Sequence, residues 1–197
     1  MITNNNTITA AATAAAVVNY SSKVRVATVW LSGCAGCHMS FLDQDERIVD
    51  LAKKIQVVYG PLVDVKEFPK NVDVTLIEGS VANEEQLEVL KDIRAKTRVL
   101  IALGDCAVTG NVTALRNSWE NSDQEVLERA YKSPEDLQAA VPNMVPKLLI
   151  KTKPLHEIVK VDFYIPGCPP SADLINYVLT ELLSGKTPNM EGKTKYG

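Results

Sequence analysis

The feature that most constrains the fold is a regular alternation of strand-like and helix-like segments from residue 23 onward. Residues 24–31 are rich in Val and Thr, as is typical of a buried strand, and a helix is predicted over residues 40–54. Glycine or proline closes most of the predicted strands, which are residues 24–31, 57–59, 72–77, 98–103 and 161–165. Strands that alternate with helices form right-handed βαβ units. We therefore predict an open, doubly wound α/β fold of the flavodoxin-like type, with a mainly parallel sheet.

Two further helices carry recognisable amino-terminal caps. Asn83 precedes an apolar stripe, and Gln86 stands three residues after it in the capping-box position. Ser171 precedes a second apolar helix, which Gly185 ends. These signals predict the starting points of the second and the last long helix.

One segment interrupts the alternation. Residues 117–160 contain four prolines and short charged helical stretches. We interpret this segment as a helical insertion within a single flavodoxin-like domain that covers residues 23–197. Residues 1–22 are rich in Asn, Thr and Ala and carry no charged side chain, so we predict a disordered, flexible tail.

The composition narrows the class of protein. The chain is 46% hydrophobic and 23% charged with a net charge of −3, which is ordinary for a globular domain and argues against binding to nucleic acid or to an anionic membrane. No apolar run approaches the roughly 18 residues that cross a bilayer. Residues 1–22 also lack the basic residues of a secretory or twin-arginine signal. We therefore expect a cytoplasmic protein, whose thiols stay reduced.

The four cysteines all follow predicted strands. Cys34 and Cys37 come after the first strand, Cys106 after the strand over residues 98–103, and Cys168 after the last strand. The carboxyl ends of parallel strands meet at one edge of a sheet, where α/β folds build their sites. The sequence therefore predicts that these distant cysteines converge.

Glycine accompanies each of these cysteines, as in the runs GCAGC at 33–37, GDC at 104–106 and GCPP at 167–170. A glycine lets the backbone come close to a bound group and turn its N–H groups toward negative charge. Hydrogen bonds of that kind also tune the potential of an iron–sulfur cluster.

Several kinds of site compete for these cysteines. Structural zinc usually pairs two close knuckles, whereas Cys106 and Cys168 stand alone. The run Cys34-Ala-Gly-Cys37-His38 also matches the attachment motif of a c-type haem. That haem, a redox dithiol or a set of unrelated buried cysteines would leave some of the four without a role. Because the haem is disfavoured in this way, we interpret His38 as an ordinary polar residue at a helix start and not as an iron ligand. A four-cysteine iron–sulfur cluster uses all of them, and a flavin at the same edge is the alternative.

A set of motifs resembles the small subunit of [NiFe] hydrogenases, closest to the short small subunit of soluble bidirectional NAD(P)-coupled hydrogenases. The motifs are GCAGC at 33–37, SFLD at 40–43, EGS at 78–80, GDCAVTGNV at 104–112 and GCPP at 167–170. The resemblance implies one [4Fe-4S] cluster held by Cys34, Cys37, Cys106 and Cys168, and leaves open an FMN in addition. The related iron–sulfur subunit of respiratory complex I has adjacent cysteines at the first motif, unlike the two-residue spacer here.

The resemblance also implies partners. Hydrogen would be split at a Ni–Fe centre in a separate large subunit, and electrons would pass on to diaphorase subunits that carry iron–sulfur clusters, FMN and the NAD(P) site. The chain has no G-x-G-x-x-G motif, which agrees with nicotinamide binding elsewhere. In this interpretation the chain conducts electrons and is not itself catalytic.

Two carboxylates lie beside the predicted site. Glu78 follows the strand over residues 72–77, where it can relay protons or accept a hydrogen bond from an N–H group that supports the cluster. A solvated or structural carboxylate is the alternative. Asp105, next to Cys106, is interpreted as part of the turn and not as a catalytic group.

Overall fold

The computed structural model describes residues 23–132 and 140–194. The predicted tail over residues 1–22 lies outside the described residues. So does part of the predicted insertion, residues 133–139. The division into a tail and one domain therefore stays a prediction.

The described chain alternates strands and helices. The strands are β1 Val24–Trp30, β2 Ile55–Tyr59, β3 Val72–Glu78, β4 Val81–Asn83, β5 Thr97–Leu103, β6 Leu148–Lys153 and β7 Phe163–Ile165. The α-helices are α1 Gly36–Leu42, α2 Arg47–Lys54, α3 Glu84–Lys96, α4 Asp105–Thr109, α5 Ser122–Tyr131 and α6 Ala172–Leu183. Two 3-10 helices span Asn111–Ser118 and Leu155–Glu157.

The main sheet has five strands in the order β2-β1-β3-β5-β7, and every neighbouring pair is parallel. Apolar clusters lie on both of its faces. One contains Leu76 and Ile101 with helices α2 and α6, and the other contains Ile77 and Leu100 with helix α3. Full burial of an aliphatic side chain stabilises the fold by about 1.5–3 kcal/mol. The predicted doubly wound α/β fold is thus confirmed.

The helix predicted over residues 40–54 is two helices. Helix α1 already begins at Gly36, and a turn over residues 43–46 separates it from helix α2. Within this turn Asp45 has a positive φ of 52°, and the Gln44 side chain donates to the Phe41 carbonyl at 2.9 Å. The turn breaks a pattern whose apolar spacing alone suits one continuous helix.

Both predicted caps are present. The Asn83 side chain accepts the N–H of Gln86 at 2.8 Å, and the Ser171 hydroxyl accepts the N–H of Leu174 at 3.2 Å. The side-chain Oε1 of Gln86 accepts the N–H of Ala82 at 2.9 Å, one residue before the position that a capping box uses.

The insertion is mixed and not purely helical. Residues 117–160 include helix α5, but also strand β6, which pairs with β4 in an antiparallel two-stranded sheet. Arg116 stabilises this sheet because its guanidinium donates to the carbonyls of Leu149 at 2.7 Å and Ile150 at 3.1 Å, both in β6. Strand β6 escaped prediction since its partner β4 is only three residues long. Among the described helices none is long and apolar enough to cross a membrane.

Candidate metal centre

Four parallel strands end side by side at one edge of the main sheet. In the strand register Trp30 lies opposite Glu78, Glu78 opposite Leu103, and Leu103 opposite Ile165. The segments that follow these residues therefore meet at one edge, the usual place for a site in an α/β fold. We call this edge the cysteine rim, and define it as residues 31–37, 78–80, 104–106 and 166–170.

All four predicted ligands lie at the cysteine rim. Cys34 and Cys37 follow β1, Cys106 lies in the first turn of helix α4 after β5, and Cys168 follows β7. All four are free thiols, of which Cys37 and Cys106 are buried while Cys34 and Cys168 are exposed. The fold brings together residues that are up to 134 positions apart in the chain.

The thiols lie close enough to influence one another's ionisation. Burial raises the pKa of Cys37 far above its usual range, and the charges of Glu78 and the other three cysteines raise it further. Burial also raises the pKa of Cys106, and the next contributions come from Cys168 and Cys34. Since thiolates are the form that binds metal, loading this rim must release protons.

Gly104 brings backbone directly against the buried thiol of Cys37. Its φ of 81° and ψ of 162° lie in a region that essentially only glycine adopts. A Cβ at this position would overlap the Cys37 sulfur and lie 3.4 Å from the carbonyl oxygen of Gly167. The missing side chain thus leaves space beside the thiol.

Hydrogen bonds connect the turns of the rim to one another. The Ser40 hydroxyl, in helix α1, donates to the Pro170 carbonyl at 2.5 Å. Asp105 makes two hydrogen bonds with Gly167, one through its own N–H at 2.9 Å and one through its carboxylate at 2.6 Å. These contacts fix the spacing of the loops that carry the cysteines.

Glu78 is 2% exposed and holds the first cysteine turn through a single oxygen. Its Oε2 accepts the backbone N–H of His38 at 2.9 Å and the indole N–H of Trp30 at 3.2 Å, and lies 2.6 Å from His38 Nδ1. Burial alone would raise the pKa of Glu78, but the hydrogen bonds and charge of His38 outweigh it and lower that pKa. Glu78 is therefore a buried carboxylate anion at neutral pH.

His38 is not the ordinary polar residue that the sequence suggested. It is buried, its ring packs edge-on to Trp30 with centroids 5.2 Å apart, and its Nδ1 faces Glu78. Within the described part of the chain, its Nε2 is buried with no hydrogen-bond partner. Only its position next to Cys37 distinguishes His38 in the sequence, so sequence reasoning missed this contact.

The donors at the rim fit an iron–sulfur cluster. Four cysteine thiolates are the ligand set of a [4Fe-4S] cluster, and all four cysteines of the chain lie here. The glycine backbone at residue 104 leaves room beside them. Across residues 23–132 and 140–194, no group of three or more His, Cys, Asp and Glu side chains is placed to hold a single metal ion.

Known proteins share both the sequence and the fold. Residues 34–182 match the family described as NADH ubiquinone oxidoreductase, 20 Kd subunit. The chain is 39% identical over 176 residues to the delta subunit of the NAD-reducing hydrogenase HoxS of Cupriavidus necator, a match that covers 87% of this chain and 84% of that subunit. It is 38% identical over 173 residues to one subunit of the F420-non-reducing hydrogenase of Methanothermobacter thermautotrophicus, a match that covers 84% of this chain and 55% of that relative.

Solved structures agree with these relatives. A crystal structure of an NAD+-reducing [NiFe]-hydrogenase in the H2-reduced state contains a chain with a TM-score of 0.85 and 40% identity, covering 89% of this chain and 100% of that one. The Ni-Fe-Se hydrogenase of Desulfomicrobium baculatum has a TM-score of 0.54 at 16% identity over 87% of this chain and 68% of its own, which shows the fold alone. Since the family match runs from Cys34 past Cys168 and these relatives are hydrogenase subunits, the chain belongs to the NADH ubiquinone oxidoreductase 20 Kd subunit family, as a small subunit of the [NiFe]-hydrogenase type.

Proposed function

We propose that this chain is the electron-transferring small subunit of a bidirectional [NiFe] hydrogenase coupled to NAD(P). It would hold one [4Fe-4S] cluster and connect a Ni–Fe large subunit with a diaphorase module. The observation that carries the proposal is the convergence of four free thiols, from three strand-end turns, at one edge of the sheet.

Cys34, Cys37, Cys106 and Cys168 are the proposed ligands. When bound, such a cluster accepts and releases one electron at a time. The buried thiols of Cys37 and Cys106 lie on the protein side of the site, and the exposed Cys34 and Cys168 lie on the solvent side. This asymmetry supports a site that is anchored in the sheet and open toward a partner.

The surface around the rim suits a protein partner. Two large apolar side chains that flank the first rim segment, Trp30 and Met39, are exposed. Leu42, Val112 and Leu115, on the helices that follow the Cys37 and Cys106 turns, are exposed as well. Large apolar side chains exposed beside a site are the material from which an interaction surface is built. We propose that the large subunit covers them, so that its metal centre comes near the exposed thiols.

The diaphorase is the second proposed partner. The similar HoxS protein is a subunit of an NAD-reducing hydrogenase, so a nicotinamide site belongs to the relative's whole enzyme. This chain contains no G-x-G-x-x-G motif, which supports nicotinamide binding on another subunit. We place the complex in the cytoplasm because free thiols persist there.

The contacts of Glu78 support a holding role. Its carboxylate accepts the N–H group that directly follows Cys37, which is one of the two roles that the sequence suggested. Its role as a proton relay stays a prediction. For that role, the imidazole of His38, 2.6 Å away, is the neighbouring group that can exchange a proton with it.

Removing one ligand tests the proposal. We expect anaerobically purified wild-type protein to contain about four irons per chain and to absorb visible light as a cluster does. Cys106→Ala removes a buried ligand, so its iron content and visible absorbance should fall sharply. Cys168→Ser and Cys168→Ala should lower the iron content and the visible absorbance in the same way.

Ser118→Ala is the matched control, since Ser118 is exposed and lies away from the rim turns. It should retain the wild-type iron content. A Cys106→Ala protein that kept four irons and its spectrum would remove Cys106 from the ligand set. Wild-type protein with bound flavin and no iron would overturn the proposal in favour of a flavin carrier.

A further inference from the structure

We propose that Asp105 is a positioning residue that ties the Cys106 turn to the Cys168 turn and sets a negative charge beside the cluster. This inference rests on the proposed function, because it assigns a role toward the group that these cysteines would hold. Asp105 would act through the cysteines and would not itself bind the metal.

The two turns are joined by paired hydrogen bonds. The Asp105 N–H donates to the Gly167 carbonyl at 2.9 Å, and the Asp105 Oδ1 accepts the Gly167 N–H at 2.6 Å. A third bond, from the Gly104 N–H to the Ile165 carbonyl at 2.8 Å, extends the connection. Residues directly preceding Cys106 are thus bonded to residues directly preceding Cys168, 62 positions further along the chain.

The Asp105 side chain is the variable part of this connection. Two of the three bonds are made by backbone, so any residue other than proline at position 105 could keep them. Gly167 has a positive φ of 139°, and a Cβ there would come within 2.6 Å of Pro170 Cα. Asp105 is 3% exposed, so its carboxylate satisfies an N–H in a turn that has little freedom to move.

The carboxylate also bears on charge at the site. Asp105 directly precedes Cys106, and its buried carboxylate is bonded to the residue that directly precedes Cys168. A negative charge placed this close to a thiolate-bound cluster disfavours the addition of an electron to that cluster. A carboxylate at position 105 therefore lowers the reduction potential relative to a neutral side chain.

Two substitutions separate position from charge. Asp105→Asn keeps an oxygen that can accept the Gly167 N–H but removes the charge, so iron content should stay at the wild-type level. Its midpoint potential should rise by up to about 59 mV, which corresponds to a tenfold change in a one-electron equilibrium. Asp105→Ala removes both the charge and the acceptor, so it should lose at least half of the iron.

The assembled hydrogenase complex, purified anaerobically, is the material for these measurements. Iron and sulfide analysis report on position, and a redox titration followed by electron paramagnetic resonance reports on charge. Asp92→Asn is the matched control, because Asp92 is exposed and pairs with Lys96 on helix α3 at 2.6 Å. It should leave both the iron content and the potential unchanged.

The outcomes discriminate clearly. An unchanged potential in Asp105→Asn overturns the charge role, and full iron content in Asp105→Ala overturns the positioning role. Loss of iron in Asp105→Asn equal to that in Asp105→Ala also overturns the proposal, since the amide retains an acceptor. Wild-type complex without iron in this subunit would instead overturn the proposed function itself.

Discussion

The carboxylates at the two ends of the main sheet have different partners. At the amino ends of the strands, guanidinium groups pair with them. Asp73 lies 2.7 Å from Arg98, and it also accepts the backbone N–H of Arg25 at 2.9 Å. Asp162, just before β7, lies 2.6 Å from Arg94. Charge is therefore cancelled where the strands begin.

At the carboxyl ends the carboxylates are held mainly by N–H groups of the cysteine turns. Glu78 accepts the N–H of His38, and Asp105 accepts the N–H of Gly167. The pKa of Cys37 is raised first by burial and next by the negative charge of Glu78. The contrast teaches that one end of the sheet is arranged for stability, whereas the other accepts electrostatic repulsion in order to place groups around a site.

The largest predicted effect is at Gly104. Gly104→Ala would force a Cβ onto the Cys37 sulfur and place alanine in a backbone region that costs about 1–3 kcal/mol. If the cysteine rim is built around a cluster, this single methyl group should abolish iron binding. The measurement is iron content per chain after anaerobic purification.

Gly192→Ala is the control for backbone strain. Gly192 also has a positive φ, 69°, but nothing lies within 4 Å of a Cβ built there. It should retain full iron. If Gly104→Ala bound iron as well as Gly192→Ala does, the rim would not be as tightly fitted as the comparison requires.

The second prediction concerns the amino end. Arg94→Ala would leave the carboxylate of Asp162, whose side chain is 7% exposed, without its nearest guanidinium. It would also remove the hydrogen bonds that Arg94 donates to the carbonyls of Thr97 and Arg98. We expect the free energy of unfolding to fall by about 2 kcal/mol, with the reduction potential unchanged. Urea unfolding of the full chain measures the first quantity.

Lys91→Ala is the comparison variant, since Lys91 and Glu88 form an exposed pair. The free energy of unfolding of Lys91→Ala should fall by less than about 1 kcal/mol. An Arg94→Ala variant that altered the potential as strongly as Asp105→Asn would contradict the division of roles between the two ends.

The smallest effect is the acid response of Glu78. Its pKa in the folded protein lies below the ordinary value of 4.5, so its contribution to stability is complete above that value. The contribution is lost as the pH falls through the lower folded pKa. The stability difference between wild type and Glu78→Gln should therefore shrink in acid, as followed by urea unfolding between about pH 6 and pH 3.

Glu88→Gln, at an exposed position, should show no such trend. If the difference in the free energy of unfolding between wild type and Glu78→Gln did not change with pH, the N–H donors of His38 would not favour the ionised carboxylate of Glu78. In the assembled enzyme, the same Gln variant tests the predicted proton relay, since hydrogen turnover should slow while iron content is kept.

Much of the fold, and the convergence of the cysteines at one edge of the sheet, could be predicted from local sequence patterns. Glycine and proline mark the strand ends, and apolar runs identify the parallel strands, so the meeting of Cys34, Cys106 and Cys168 followed from topology. The first helix was harder because the turn at Asp45 depends on a positive φ that the apolar pattern does not show.

Long-range polar contacts could not be predicted. The bond from Glu78 to His38 joins residues 40 apart, and the bond from Asp105 to Gly167 joins residues 62 apart. Each depends on strand register and on side-chain direction, neither of which is encoded in nearby residues. Strand β4 is likewise too short for a periodic signal, so its pairing with β6 also escaped prediction.

The unequal exposure of the four thiols has a consequence for how the site is filled and how it is damaged. A reagent that arrives from solvent meets Cys34 and Cys168 before it reaches Cys37 and Cys106. For the proposed cluster, a scaffold that delivers iron and an oxidant that attacks it would approach by the same route. A protein that covers that route would then protect the finished site from oxygen, and it would have to bind after the site has been assembled.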